Sequence, residues 1–237
     1  MVKKPMKRAE RLEVVYDERQ WKLLRQLREK TAQLMETLNN SHLRSIVHGS
    51  IARGDVSETS DIDVFLPDPP SSFIIETSLE RSGFSVVHRA VVQATPVYAL
   101  KGYLWLDEET SLSFPLVKLR QVEKDFYRFS GEATLSTLKE NRRVLGVDKR
   151  LMLIEPTKQG HIESAVVGRE EEAANRLGVT LNTVLDRVHA LIRRDEVGRT
   201  GVFIEKELTP NETFEQATKK LADQNPAVRR RTKTHKK

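Results

Sequence analysis

The stretch that decides the fold runs from His48 to Val64 and reads HGSIARGDVSETSDIDV. It leaves a mostly apolar segment, Leu43 to Val47, through a Gly-Ser turn and crosses a short polar loop. It then enters a second apolar segment, Ile62 to Leu66, which begins with aspartates at alternate positions. This pattern predicts two strands that are joined by a polar connection.

The two aspartates, Asp61 and Asp63, are expected to stand side by side, because residues i and i+2 of a strand point to the same face. Two neighbouring carboxylates repel each other unless a cation lies between them, and Mg²⁺ prefers carboxylate oxygen. The turn at Gly49 and Ser50 offers backbone N–H groups and a hydroxyl to phosphate. These features together are typical of nucleotidyl transfer. A glycine-containing turn with two surface aspartates is the alternative interpretation.

The combined motif resembles the signature of the DNA polymerase beta-like nucleotidyltransferase superfamily. G-S-x-x-R-G begins at Gly49, S-D-I-D-V follows, and ten residues separate Ser50 from Asp61. The superfamily includes the archaeal CCA-adding enzymes and the minimal nucleotidyltransferases. The resemblance is close over residues 43–66 and looser as far as Leu119, and each half of the motif is common by itself.

The resemblance assigns a role to each motif residue. It implies that Asp61 and Asp63 are catalytic and hold Mg²⁺, with Mn²⁺ as the alternative. It also implies that Gly49 and Ser50 bind the phosphates of a nucleoside triphosphate and that Arg53 neutralises their charge.

A third carboxylate of the superfamily normally lies on a later strand beside the pair. The segment that resembles this strand, Ser111 to Lys118, has Leu112 or Ser113 at the matching position. Neither side chain ligates Mg²⁺ as a carboxylate does, so the resemblance supports nucleotide and metal binding better than turnover. The acidic residues that could complete the site are Asp107, Glu109 and Glu58.

The pattern of the remaining residues predicts an α+β fold in which a mixed sheet carries helices on one face. Helices are expected at Asp17–Asn39 and Phe73–Arg81. Residues 1–120 are interpreted as a nucleotidyltransferase domain with an N-terminal helix, and residues 121–160 as a helical connection. The further strands of the sheet are predicted at Phe84–Gln93, Val97–Leu106 and Ser111–Leu119.

The segment from Ala173 to Arg187 resembles the helix-turn-helix of bacterial and archaeal regulators, and residues 161–208 are interpreted as a small winged helix-turn-helix domain. One helix is expected from Glu170 to a terminating Gly178, a second from Val179 to Arg194, and a wing over Asp195–Ile204. In such folds the second helix enters the major groove of nucleic acid. Docking of a protein or simple packing is the alternative role. The residues expected to contact nucleic acid are Thr183, Arg187 and Arg199.

Residues 209–237 are interpreted as a helix followed by a disordered basic tail. The six basic residues near the end equal the net charge of +6, which favours RNA or DNA as a partner; a solubilising tail is the alternative. These six basic residues are Arg229, Arg230, Arg231, Lys233, Lys236 and Lys237.

The chain contains no cysteine and no apolar run long enough to span a membrane, which predicts a cytoplasmic protein without a membrane partner.

The leading functional hypothesis is transfer of a nucleoside monophosphate from a nucleoside triphosphate to a hydroxyl acceptor. An RNA 3′ end is the favoured acceptor, and a protein hydroxyl stays open. One alternative is a catalytically weakened relative that regulates through nucleic-acid binding by its winged helix. Another is a DNA-binding transcription factor whose first domain is a sensor.

Overall fold

The computed structural model describes residues 11–198 and 201–233. No helix within these ranges is long and apolar enough to cross a membrane. The helices are α1 (Glu18–Asn40), α2 (Ser50–Arg53), α3 (Ser72–Arg81), α4 (Gln121–Phe129), α5 (Leu135–Lys139), α6 (Glu170–Leu177), α7 (Leu181–Val197), α8 (Phe214–Gln224) and α9 (Pro226–Lys233). The strands are β1 (Leu12–Val15), β2 (Ile46–His48), β3 (Ile62–Phe65), β4 (His88–Gln93), β5 (Lys101–Trp105), β6 (Thr110–Pro115), β7 (Glu132–Ala133), β8 (Gly146–Val147), β9 (Met152–Thr157), β10 (Gly160–Ala165) and β11 (Ile204–Glu207).

The described chain forms two compact units. The first contains residues 11–32, 47–60 and 121–198, and the second contains residues 33–46, 61–120 and 201–233. Each unit therefore combines three separate segments. The predicted domains (1–120, 121–160, 161–208 and 209–237) are instead continuous segments, so they do not coincide with these units.

The second unit is built on strands in the order β11-β4-β5-β6-β3. β3 pairs with β6 in parallel, whereas the other neighbours are antiparallel, so the sheet is mixed. On one face Phe214 of α8 packs edge-on against Phe114, with ring centroids 5.1 Å apart. A Cβ on Gly102 would lie 2.5 Å from Phe114 Cζ, so only glycine allows this packing. The predicted α+β class and mixed sheet are confirmed.

The first unit contains an antiparallel sheet in the order β1-β10-β9-β8. Its apolar core joins this sheet to α4, α6 and α7 through residues such as Phe129, Leu153 and Val184. Residues 121–160 are therefore not the predicted helical connection. Helix α4 ends near Gly131, whose φ of 83° is poorly tolerated by other residues. The close approach of Gly146 to the Gly131 backbone then allows the chain to turn into β8 and β9.

The structure corrects the wing that was predicted over Asp195–Ile204. Helix α7 continues to Val197, which includes the first residues assigned to the wing. The following strand, β11, pairs antiparallel with β4, where Ile204 lies opposite Gln93. This strand therefore extends the mixed sheet of the second unit. Such pairing over more than a hundred residues has no local sequence signal.

The basic C-terminal segment is helical as far as it is described, which corrects the prediction of disorder. Pro226 opens α9, and Asn225 Oδ1 accepts the Ala227 backbone N–H at 2.9 Å, an arrangement typical of a helix start. Val228 is fully buried, and Arg231 is buried and donates to the carbonyl oxygen of Lys118 at 2.8 Å. The last four residues, 234–237, lie outside the described part of the chain.

Candidate nucleotide and metal site

The Gly49–Ser50 turn connects β2 directly to the short helix α2. Gly49 has a φ of 82°, and no described atom lies within 4 Å of the Cβ that another residue would add. Backbone conformation, not space, therefore requires glycine at this position. The Gly49 N–H donates to the carbonyl oxygen of Gly131 at 3.0 Å, so this donor is engaged within the fold. The hydroxyl of Ser50 can rotate to a new acceptor, so it is the better candidate of the two for a phosphate contact.

The Ser50 hydroxyl is positioned by the loop that leads into the aspartate pair. Ser50 Oγ donates to Ser60 Oγ at 3.1 Å, and Ser60 Oγ also accepts the Ser57 N–H at 2.9 Å. Asp61 follows Ser60 in the chain. These two hydrogen bonds hold the backbone immediately before the first aspartate.

Arg53, predicted to contact phosphate, lies in the interior of the first unit. Its guanidinium donates to the carbonyl oxygen of Ser130 at 2.6 Å and pairs with Asp55 Oδ2 at 2.8 Å. A Cβ on Gly131 would lie 2.6 Å from Arg53 Cγ, so the glycine makes room for this side chain. A buried charge requires such partners to offset its lost hydration. In this arrangement Arg53 stabilises the turn and is not available to a phosphate, which corrects the predicted role.

Asp61 and Asp63 lie at the start of β3, as expected. Ile62 and Val64 are buried against one side of the sheet, so the alternation of the strand directs both aspartates to the other side. Asp61 precedes the strand and is exposed, whereas Asp63 is half-buried. Asp63 lies opposite Ser111 of β6, and Ser111 Oγ donates to Asp63 Oδ1 at 2.9 Å. Ser111 is a site residue that the sequence motif did not identify.

The position beside Asp63 on the neighbouring strand is Ser111, not the predicted Leu112 or Ser113. Leu112 is fully buried opposite Val64, on the other side of the sheet. Sequence spacing does not determine this register, because a shift by one residue exchanges the two faces of a strand. A hydroxyl therefore occupies the place beside Asp63.

The three acidic residues named as candidates do not complete a metal cluster. Glu58 pairs with Arg19, and Asp107 Oδ1 accepts the N–H of Glu109 at 2.9 Å within a turn. Glu109 comes nearest in register, because its carbonyl oxygen accepts the Ile62 N–H at 2.7 Å, but its side chain is exposed. Within residues 11–198 and 201–233, no group of three or more acidic, histidine or cysteine side chains could hold a metal ion.

Two carboxylates fit one Mg²⁺ ion that keeps water and phosphate ligands. Mg²⁺ is usually bound through one or two carboxylates together with substrate phosphates. Asp61 and Asp63 match this requirement, and Ser111 restrains one of the two. A second ion of the two-metal type would require a further carboxylate.

The residues predicted to contact nucleic acid lie in a different setting from the one expected. The helices predicted on either side of Gly178 are present as α6 and α7. Thr183, however, is fully buried, and its hydroxyl donates to Asp125 Oδ2 at 3.1 Å. The Arg187 guanidinium lies 5.0 Å from the centre of the Phe126 ring. Arg199 lies outside the described residues.

This difference arises because the start of α7 packs against α4. Thr180 caps α7 by accepting the Thr183 N–H, and Asp125 of α4 accepts the Thr180 N–H at 3.2 Å. The predicted nucleic-acid contact by Thr183 is therefore wrong.

A mixed sheet with paired aspartates at a strand start, preceded by a glycine-serine turn, defines a nucleotidyltransferase-like protein. Comparison with protein families agrees: the family described as Nucleotidyltransferase domain matches residues 24–165, more than half of the 237-residue chain. The chain belongs to this family, in the DNA polymerase beta-like superfamily. No curated protein matches it.

Proposed function

We propose that this protein transfers a nucleoside monophosphate from a nucleoside triphosphate to a hydroxyl acceptor, with Mg²⁺ or Mn²⁺ held by Asp61 and Asp63. Membership of the nucleotidyltransferase family supports nucleotidyl transfer in general. The observation that carries the specific proposal is the aspartate pair on one side of β3, with Asp63 restrained by Ser111. When bound, the ion would neutralise charge on the α-phosphate and on the departing pyrophosphate.

The protein's own contribution is positioning. The acceptor oxygen forms a bond to the α-phosphorus while the bond to pyrophosphate breaks, and the hydroxyl proton passes to water. Because Ser111 already restrains the Asp63 carboxylate, that group needs little rearrangement as charge moves in the reaction. The Ser50 hydroxyl donates to Ser60 in this structure, and we propose that it donates a hydrogen bond to a phosphate oxygen of the bound nucleotide.

An RNA 3′ end is the proposed acceptor. The net charge of +6 supports a polyanionic partner, because cationic side chains release counterions from phosphate backbones. In α9, Arg229, Arg230 and Lys233 have exposed side chains, whereas Arg231 is buried. We propose that these exposed residues of α9 contribute to this contact.

Incorporation of α-labelled nucleotide into an RNA oligonucleotide tests the proposal. We expect Mg²⁺-dependent labelling with release of pyrophosphate, and a loss on the order of 100-fold or more in Asp63→Asn. Asp223→Asn is the matched control, since this aspartate is exposed on α8 and should leave labelling unchanged. Equal labelling by wild-type protein and Asp63→Asn would contradict the assignment.

The serine beside Asp63 favours a second candidate function. A protein without the third carboxylate can keep nucleotide binding while losing most of its turnover, and it could then act as a nucleic-acid-binding regulator. This candidate predicts binding of nucleoside triphosphate by calorimetry without pyrophosphate release. Steady release that disappears in Asp63→Asn would rule it out.

A further inference from the structure

Three rings lie side by side on strands β4 and β5 of the second unit. Tyr103 and Trp105 are stacked, with centroids 5.4 Å apart and planes inclined by 22°. His88 lies 4.7 Å from Trp105. We call these three residues the aromatic row. Trp105 and Tyr103 are half-buried and the His88 side chain is 37% exposed, so part of the row meets solvent.

Strand register places the aromatic row on the same side of the sheet as Asp63. Asp63 lies opposite Ser111, Ser111 opposite Trp105, and Trp105 opposite His88. Residues directly opposite each other on paired strands point to the same face. Neighbouring strands are about 4.8 Å apart, so the Trp105 backbone lies two spacings, about 10 Å, from that of Asp63.

The electrostatics of Tyr103 agree with this placement. Burial and the negative charge of Asp63 raise the pKa of Tyr103 to about 12. A tyrosine is neutral at physiological pH with or without this shift, so Tyr103 adds no negative charge beside the carboxylates. His88 contacts Glu207 of the neighbouring strand β11, with its Nδ1 3.2 Å from Oε1 of Glu207.

We propose that the aromatic row is the surface on which the nucleobase of the nucleoside triphosphate stacks. This rests on the proposed function, since it assumes that the triphosphate lies at Asp61 and Asp63. A ribose separates the α-phosphate from the base, and the distance from Asp63 to Trp105 leaves room for it. Aromatic side chains stack with any base, because every base has a π face. The row therefore selects for a base without selecting strongly among bases.

Paired ligands and paired variants test this inference. The ligands are ATP and inorganic tripolyphosphate, each with Mg²⁺ and measured by calorimetry. Trp105→Leu removes the ring but keeps an apolar side chain, whereas Trp105→Phe keeps a smaller ring. We expect Trp105→Leu to weaken ATP binding roughly 5- to 150-fold, without change for tripolyphosphate, and Trp105→Phe to recover much of the loss. Asp63→Asn should weaken both ligands.

Fluorescence provides an independent measurement. The chain contains two tryptophans, so Trp21→Phe leaves Trp105 as the only reporter. ATP should quench its emission, whereas tripolyphosphate should not. Unchanged ATP affinity in Trp105→Leu, an equal loss for both ligands, or quenching by an RNA oligonucleotide but not by ATP would overturn the inference. If wild-type protein binds neither ligand, the proposed function itself fails; binding of both with no effect of Trp105→Leu overturns only the stacking surface.

Discussion

The hydroxyl of Ser111 donates a hydrogen bond of 2.9 Å to Oδ1 of Asp63 across the parallel pair β3–β6. The bond restrains a carboxylate that is only half-buried and would otherwise exchange between rotamers. It also engages one oxygen and leaves the other, Oδ2, for a cation. A serine in this place therefore orients the carboxylate beside it, which is the proposed metal ligand.

We expect Ser111→Ala to reduce nucleotidyl transfer about 10- to 100-fold, the usual effect of removing a group that orients a metal ligand. The free energy of unfolding should fall by only about 1 kcal/mol, because one hydrogen bond is lost. Ser113→Ala is the matched control, two residues further along β6. Initial rates at several Mg²⁺ concentrations check this prediction. Equal rates in Ser111→Ala and wild-type protein would show that Asp63 needs no restraint.

Ser111→Asp should make the stability of the protein depend on Mg²⁺. The new carboxylate would lie directly beside Asp63, and two like charges at that distance repel each other. We expect a lower Tm than wild type in chelator and a larger increase on addition of Mg²⁺, because an ion that binds only the folded state stabilises it. Thermal unfolding with and without Mg²⁺ measures the difference. An equal increase of Tm on addition of Mg²⁺ in Ser111→Asp and wild type would mean that the carboxylates at positions 63 and 111 do not hold the ion.

Arg53→Met should destabilise the protein more than it affects nucleotide binding. Arg53 and Asp55 form a pair whose side chains are 6% and 12% exposed, and removing one partner leaves the other buried and unpaired. The expected loss is about 3–5 kcal/mol in the free energy of unfolding. Arg19→Met is the control, since its pair with Glu58 is exposed and should contribute only about 0–1 kcal/mol. Urea unfolding compares the two variants; a selective loss of ATP affinity in folded Arg53→Met would restore the phosphate role.

The stability of the first unit should depend on pH through Glu163. Hydrogen bonds from His161 and Arg150 lower the pKa of Glu163 from 4.5 to about 2 despite its burial. Because the folded state holds this proton less tightly than the unfolded state, the stabilisation is complete above about pH 4.5. It decreases as the pH falls towards 2. Glu163→Gln should therefore lose less stability than wild type between pH 5 and pH 3, which urea unfolding at each pH can determine.

Local patterns predicted the placement of the two aspartates on their strand. The alternation of Asp61 and Asp63 with buried residues requires only the period of a strand, and β3 begins at Ile62 as predicted and ends one residue earlier than predicted. The N-terminal helix was predicted equally well, because Leu24, Leu34 and Leu38 repeat with a helical period.

Residues whose role depends on distant partners could not be predicted. The burial of Arg53 depends on Ser130 and Gly131, and that of Thr183 on Asp125. The position of Ser111 and of the aromatic row depends on strand register, which one sequence does not reveal. The start of α9 is a different case, since Asn225-Pro226 is a local helix signal that the adjacent basic residues obscured.

The interior position of Arg53 changes what the G-S-x-x-R-G motif reports. Since the arginine neutralises Asp55 and binds the Ser130 carbonyl, selection for a folded chain is enough to retain it. A descendant that had lost Asp61 and Asp63 would still be expected to carry the first half of the motif. Among relatives that lose the proposed nucleotidyl transfer, substitutions would therefore be expected first at the two aspartates and at position 111, and only later at the arginine.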